Sequence, residues 1–301
     1  MRIAVAGGTG FIGRALVNRL SRQGHEVLII TRSPEGGMED PKIRLLGWQE
    51  ALGNPDALGP LDAIVNLAGA SLNQPWTQKA KQQILESRLI TVQQVAELVR
   101  GLTHKPEVVV QSSAVGIYGT STDQTFDESS EPAGDDFLSR VTINWEQAAE
   151  DIDRQGIRLV KLRTGVVLGN SGGAFPLMKL PFMFGAGGAV GSGKQWLSWI
   201  HLEDLVRLIA FSITNDGLSG PVNAVAPSPV TNKSFGHTIA RQYHRPYWLP
   251  LPGFLLKAAL GERSTLLLDG QKVLPNKALA AGFTFIYPEL DDALANLKQR
   301  R

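Results

Sequence analysis

Gly7, Gly8, Gly10 and Gly13 carry the chemistry most readily read from this chain. They lie in Gly7-Gly8-Thr9-Gly10-Phe11-Ile12-Gly13, after the apolar run Arg2-Ile3-Ala4-Val5-Ala6 and before the helix-forming Arg14-Ala15-Leu16-Val17-Asn18-Arg19-Leu20. Glycines at this spacing between a strand and a helix build a cradle for the diphosphate of a dinucleotide. The missing side chain at Gly8 permits a tight turn, the one at Gly10 lets backbone approach the pyrophosphate, and Gly13 lets the helix pack on its strand. The diphosphate then rests on a helix N-terminus, where unpaired amides and the macrodipole favour negative charge. A second apolar strand, Glu26-Val27-Leu28-Ile29-Ile30-Thr31, completes the βαβ unit that the motif requires.

The end of that second strand selects among dinucleotides. An NAD site uses an Asp or Glu there to accept from the ribose 2′-hydroxyl. This chain has Thr31-Arg32-Ser33. The Arg32 guanidinium can make paired hydrogen bonds to a 2′-phosphate, Ser33 can assist, and nothing here accepts from a bare ribose diol. The expected cofactor is NADP(H). Gly188 to Lys194 has the spacing of a nucleotide-triphosphate loop. However, Gln195 replaces the hydroxyl residue that would hold magnesium, and no strand-to-helix context surrounds it.

Groups that could move a proton or polarise an oxygen are few. Ser112, Ser113 and Tyr118 follow a buried-strand pattern, and His201 could serve as a base near physiological pH. Tyr118 also reads as a packing residue and His201 as a helix-entry hydrogen bonder. Lys161, in a strand interior, reads as paired or snorkelling. There is no cysteine, which excludes disulfides and thiolate chemistry, and none of the five histidines has metal-ligand spacing with a carboxylate, so no metal is expected.

These residues must be held by alternating strands and helices. Short apolar runs at Ile43–Leu46, Asp62–Leu67, Pro106–Gln111, Ile157–Leu162 and Pro221–Val225 read as strands, with helices over Gln78–Arg100 and Ser139–Arg154 and another beginning at Trp199. The acidic loop from Asp123 to Asp136, with Asp127, Glu128 and Glu131, reads as a solvated face. Gly172 to Gly193, rich in Gly, Pro, Phe and Met, reads as a lid or substrate loop. Alternation of this kind predicts a doubly wound parallel sheet of the Rossmann type, α/β in class. The expected division is a cofactor domain over residues 1–168, continued in 196–226, and a smaller interleaved lobe from 169–195 and 227–301.

Together these pieces resemble the extended short-chain dehydrogenase/reductases: the glycine loop, Asn66-Leu67-Ala68-Gly69, Ser112-Ser113-Ala114 with Tyr118-Gly119, Arg163 through Gly169, and Trp199 through Asp204. More narrowly the chain is similar to the atypical YfcH-like "epimerase family proteins". Phe137-Leu138-Ser139-Arg140 with Trp145-Glu146, Pro181-Phe182 with Gly187-Gly188, and Leu268 through Val273 carry that likeness. The resemblance implies that Leu67, Ala68 and Gly69 line the adenine and ribose side, that Arg88 reaches the phosphates, and that Val166 lies near the nicotinamide half. It implies that Ser113, or Ser112, stands where the superfamily serine polarises a substrate oxygen. The superfamily's tyrosine and lysine, one helical turn apart, fall at about Leu138 and Thr142, neither of which can move a proton.

The chain has 301 residues, 43% of them hydrophobic, and a formal net charge of +2. That balance gives no global field for nucleic acid or an anionic membrane. No apolar run is long enough to span a bilayer and no secretion signal is recognisable, so the expected location is cytoplasmic. The sequence is compatible with a homodimer without determining one. The function expected is NADP(H)-dependent oxidoreductase or epimerase-like chemistry on a small carbonyl or alcohol. Ser113 would polarise the substrate, a proton would come from Tyr118, His201 or water, and an apolar wall would draw on Phe175, Met178, Phe182, Phe184, Trp196 and Trp199. The alternative is a non-catalytic sensor of the cofactor's redox state.

Overall fold

The computed structural model describes residues 1–35 and 40–299. Among them, seven strands form the central sheet: β1 (Arg2–Ala6), β2 (Glu26–Thr31), β3 (Ile43–Gly47), β4 (Ala63–Asn66), β5 (Val108–Ala114), β6 (Arg158–Thr164) and β7 (Gly220–Ala224). Their spatial order is β3-β2-β1-β4-β5-β6-β7, and every neighbouring pair is parallel. From β1 the chain winds outward to β3 and then returns to place β4 on the other side of β1. The strand order therefore reverses between β1 and β4, where open α/β sheets bind their ligands. The register ends on Ala6 beside Asn66, which brings Gly7 and Leu67 together at the carboxyl edge.

The strands at this reversal are apolar on both faces because helices cover both. Ile3, Ala4, Val5, Val27, Leu28, Ile29 and Ile30 are at most 3% exposed. Helices α1 (Phe11–Arg22) and α4 (Leu202–Thr214) pack on one face through Leu16, Val17, Leu20, Leu205, Leu208 and Ile209. Helices α2 (Gln78–Gly101) and α3 (Phe137–Asp153) pack on the other through Val92, Val95, Val99, Trp145, Ala149 and Ile152. Thr77 caps α2 by accepting from the Ala80 amide, and Asp136 caps α3 by accepting from the Leu138 and Ser139 amides. The N-cap of α1 is Gly10, which offers no side-chain acceptor and leaves its first-turn amides for a ligand.

A second core gathers Phe175, Phe182, Trp199, Phe235, Ile239, Leu290 and Leu294. Short strands tie this region together: Trp199–His201 beside Val166–Leu168, Trp196–Leu197 against Val230–Thr231, and Lys272–Val273 beside Thr125–Phe126. No helix among the described residues is long and apolar enough to cross a membrane.

Four local expectations change, the first being that residues 172–193, expected as a loop, carry the helix Phe175–Met183. Strand β5 runs on to Ala114 and β6 to Thr164, so Ser112, Ser113 and Arg163 are strand residues with alternating directions. Trp199 begins a strand, and helix α4 starts only at Leu202. Glu128 is buried, accepting from the backbone amides of Asn223 at 2.9 Å and Lys277 at 3.2 Å, because the acidic loop is pinned under β7.

Candidate functional site

The glycine loop closes the carboxyl edge of β1 in a way that spacing alone does not reveal. The left-handed residue is Gly7, with φ +78°, where Gly8 was the expected turn position. A Cβ at Gly7 would lie 2.9 Å from the amide nitrogen of Ala68, so here the β1 loop presses against the β4 loop. Gly8 instead lies over the core, where a Cβ would meet Ile29 Cγ2 at 2.9 Å. At Gly13 it would meet the Gly7 carbonyl oxygen at 2.2 Å, which is the close packing of α1 on its strand. Thr9 and Gly10 are exposed, and Ile12 is half-buried.

Phe11 ties this loop to the chain after Val166–Leu168. A Cβ at Gly169, Gly172 or Gly173 would come within 2.7, 2.9 and 2.9 Å of its ring, so three glycines form a bed for one phenyl group. Gly169→Ala, whose Cβ would meet Phe11 Cζ at 2.7 Å, is expected to destabilise the protein by about 1–3 kcal/mol through overpacking, and by much less in a Phe11→Leu background, which lacks that atom. Urea unfolding of the four proteins measures this. An equal cost in both backgrounds would show that the ring is not what the glycine accommodates.

Around the crevice, Thr31 is half-buried at the end of β2, and Arg32 and Ser33 are exposed. At the end of β4, Leu67 and Ala68 are half-buried and Gly69 is exposed. Asn66 holds this turn: its Oδ1 accepts from the Ala68 amide at 3.2 Å and its Nδ2 donates to Gln111 at 2.9 Å. Arg88, reaching from α2, donates to the carbonyls of Ala70 and Ile84 at 3.2 and 2.9 Å and stacks 5.0 Å from the Trp145 ring. Among the described residues no carboxylate forms an ion pair with it. Burial without a counter-charge pushes its pKa down to about 10. Trp145 Nε1, on the facing helix, is buried without an acceptor.

The candidate proton-moving groups are drawn into a buried network beneath the strand ends. Ser113, 4% exposed, donates its hydroxyl hydrogen to Glu146 Oε1 at 2.5 Å. Arg163 grips the same carboxylate with two bonds, Nε to Oε1 at 2.8 Å and Nη2 to Oε2 at 2.9 Å. Its Nη1 donates to Tyr118 Oη at 2.9 Å, and Tyr118 in turn donates to Asn223 Oδ1 at 2.8 Å. Burial acts to lower the Arg163 pKa, but the hydrogen bonds and charge of Glu146 outweigh it and raise it. Burial pushes the Tyr118 phenol up, against the opposing pull of Arg163. Lys161 pairs with Glu150 and lies 3.9 Å from Glu146.

His201, 2% exposed, caps α4: its Nδ1 accepts from the Glu203 amide at 3.1 Å and its ring lies 4.0 Å from that of Tyr287. Tyr118 and His201 are thus brought to structural posts. Thr142 donates to the Leu138 carbonyl at 2.8 Å, and α3 contains neither tyrosine nor lysine. Ser112 and Val166 are half-buried, Ser112 on the opposite face of β5 from Ser113. Of the expected apolar wall, Phe175, Phe182 and Trp199 belong to the second core, whereas Phe184 is 80% exposed. Reading by motif missed the ion pair of Glu146 and Arg163. Its signal was present as two cations two residues apart on a strand, Lys161 and Arg163, and two carboxylates four apart on a helix, Glu146 and Glu150.

Comparison with known proteins places the whole chain in a family. Residues 3–224 match the model of the NAD dependent epimerase/dehydratase family, and residues 251–297 match a domain of unknown function, DUF1731. Epimerase family protein YfhF of Bacillus subtilis is 47% identical over 298 residues, covering 99% of this chain and 98% of that protein. Epimerase family protein SH2119 of Staphylococcus haemolyticus is 44% identical over 293 residues, covering 97% of each. The crystal structure of human epimerase family protein SDR39U1 (isoform 2) with NADPH superimposes with a TM-score of 0.90 at 36% identity, over 100% of both chains. A nucleoside-diphosphate sugar epimerase from Corynebacterium glutamicum gives a TM-score of 0.79 at 33% identity, over 98% of this chain and 57% of that one.

Proposed function

The chain belongs to the NAD dependent epimerase/dehydratase family, and we propose that within it this protein binds NADP(H) and serves hydride transfer to or from a small carbonyl or secondary alcohol without the usual tyrosine and lysine. The observation that carries this reading is the loop at the strand-order reversal: Gly7 pressed on Ala68, α1 uncapped, and Arg88 without a counter-charge. These features fit a phosphorylated dinucleotide. The human relative crystallised with NADPH supports the same cofactor. When bound, the cofactor supplies hydride at its nicotinamide ring.

The residues from Gly7 to Gly13 and the α1 amides take the diphosphate, and Arg88 offsets its charge. Leu67, Ala68 and Gly69 line the adenine-ribose side, with Thr31, Arg32 and Ser33 around the 2′-phosphate. Val166 and Ser112 border the nicotinamide half. Ser113 has given its hydrogen to Glu146, so what it offers a ligand is a lone pair: it orients a donor hydroxyl rather than polarising a carbonyl. Tyr118 and His201 act as supports, and water brings and removes the proton.

Arg32→Ala is expected to weaken NADPH by about 1.5–3 kcal/mol, roughly ten- to a hundredfold, and NADH far less. Equal weakening of both in calorimetric titrations would remove the 2′-phosphate assignment. Function is tested by following NADPH absorbance with aldehydes, ketones and quinones, in the native protein and in Ser113→Ala. Turnover that falls in the variant supports the enzyme. The locked Tyr118 and His201 also favour a second reading, a redox sensor. Tight NADPH binding without turnover, together with a partner captured in one redox state only, would select it. Absence of any heat with NADPH or NADP⁺ in folded protein would dismiss both.

A further inference from the structure

Helix Phe175–Met183, the turn after it, and the segment from Pro246 into helix Gly253–Leu260 present one apolar face to solvent. Phe184, Trp248 and Phe254 are 80%, 66% and 69% exposed, and Leu177, Leu180 and Leu255 stand out beside them. The two segments lie side by side. Trp248 donates from Nε1 to the Gly185 carbonyl and from its amide to Gly187, both at 2.9 Å, and the Leu251 amide donates to Ala189 at 2.8 Å. Single exposed apolar residues are ordinary, but a contiguous face led by aromatic rings marks an interaction surface.

The charge around the face identifies what covers it. Residues 175–185 and 245–260, which supply it, contain Lys179, Arg245 and Lys257 and no Asp or Glu, and Glu262 just beyond them pairs with Lys81. Lys179 is engaged, lying over the rings of Phe175 and Tyr243. Arg245 and Lys257 are exposed beside the aromatic residues, and Lys257 lies near Asp269, where its charge opposes the rise that burial gives that carboxyl's pKa. A second copy seated on this face by a twofold axis would bring Arg245 and Lys257 against their own counterparts, with only Asp269 beside Lys257 to offset them. An anionic surface would not.

We infer that this face rests on an anionic lipid surface, with Phe184, Trp248 and Phe254 entering the headgroup boundary and Arg245 and Lys257 meeting lipid phosphates. The association is peripheral, since no described helix can cross a bilayer. The net charge of +2 conceals it because acidic residues elsewhere in the chain cancel the local excess. It does not depend on which dinucleotide the protein binds.

The test is co-sedimentation of the full chain with vesicles of phosphatidylcholine alone and with about one third phosphatidylglycerol, alongside tryptophan emission. The expected result is binding to the anionic vesicles with a blue shift, weakened by salt. Partitioning should fall about tenfold in Phe254→Ser with Trp248→Ser, and similarly in Arg245→Glu with Lys257→Glu. Circular dichroism and urea midpoints establish that each variant is folded. No binding to either vesicle, equal binding to both, or a dimer in sedimentation equilibrium that Phe254→Ser dissociates would overturn the inference.

Discussion

Gly13→Ala is expected to abolish NADPH binding and to lower stability by about 3 kcal/mol. A Cβ there would sit 2.2 Å from the Gly7 carbonyl oxygen and 2.7 Å from Gly8 Cα. Both are backbone atoms of the turn that forms the cradle, so no side chain can rotate away. Relief requires α1 to lift from β1, which displaces the N-terminal amides proposed to hold the diphosphate and opens the packing of Leu16, Val17 and Leu20. Calorimetry with NADPH and urea unfolding measure the two effects separately. A variant that kept native affinity would show that the helix N-terminus does not hold the diphosphate.

Glu146→Ala should cost about 3–5 kcal/mol, because it leaves the Arg163 guanidinium buried without its carboxylate. Arg163 is 4% exposed and has the Tyr118 hydroxyl as its other partner, so solvent cannot readily replace Glu146. Replacing both members, Glu146→Leu with Arg163→Met, should recover most of that loss, since the desolvated charge is removed with its partner. Thermal and urea unfolding of Glu146→Leu, Arg163→Met and the double variant give the coupling. Additive losses would mean that the pair is not the unit that holds β6 to α3. Ser113 depends on this unit for its orientation, so ligand affinity should change with stability in Glu146→Ala.

The glycine loop and the absence of tyrosine and lysine from α3 were legible because each is a local statement. Spacing along a strand-turn-helix and residue type at a strand end do not depend on distant parts of the chain. The posts occupied by Tyr118 and His201 depend on partners far away in sequence. Tyr118 meets Asn223, 105 residues on, and the His201 ring meets Tyr287. Glu128 misled for the same reason: an acidic loop looks solvated until the amides of Asn223 and Lys277 are found against it. Whole-chain charge likewise hid the acid-free stretches that flank Trp248, since a sum carries no position.

By itself the sequence determined that the protein has a βαβ dinucleotide unit and a cation where a carboxylate would serve NAD, because strand period, helix period and glycine conformational freedom act within a few residues. Only the tertiary structure decided which glycine turns, which hydroxyl is spent on Glu146, and which aromatic residues face water. Those outcomes follow from burial, and burial is fixed by strands and helices that meet only after the chain has closed on itself.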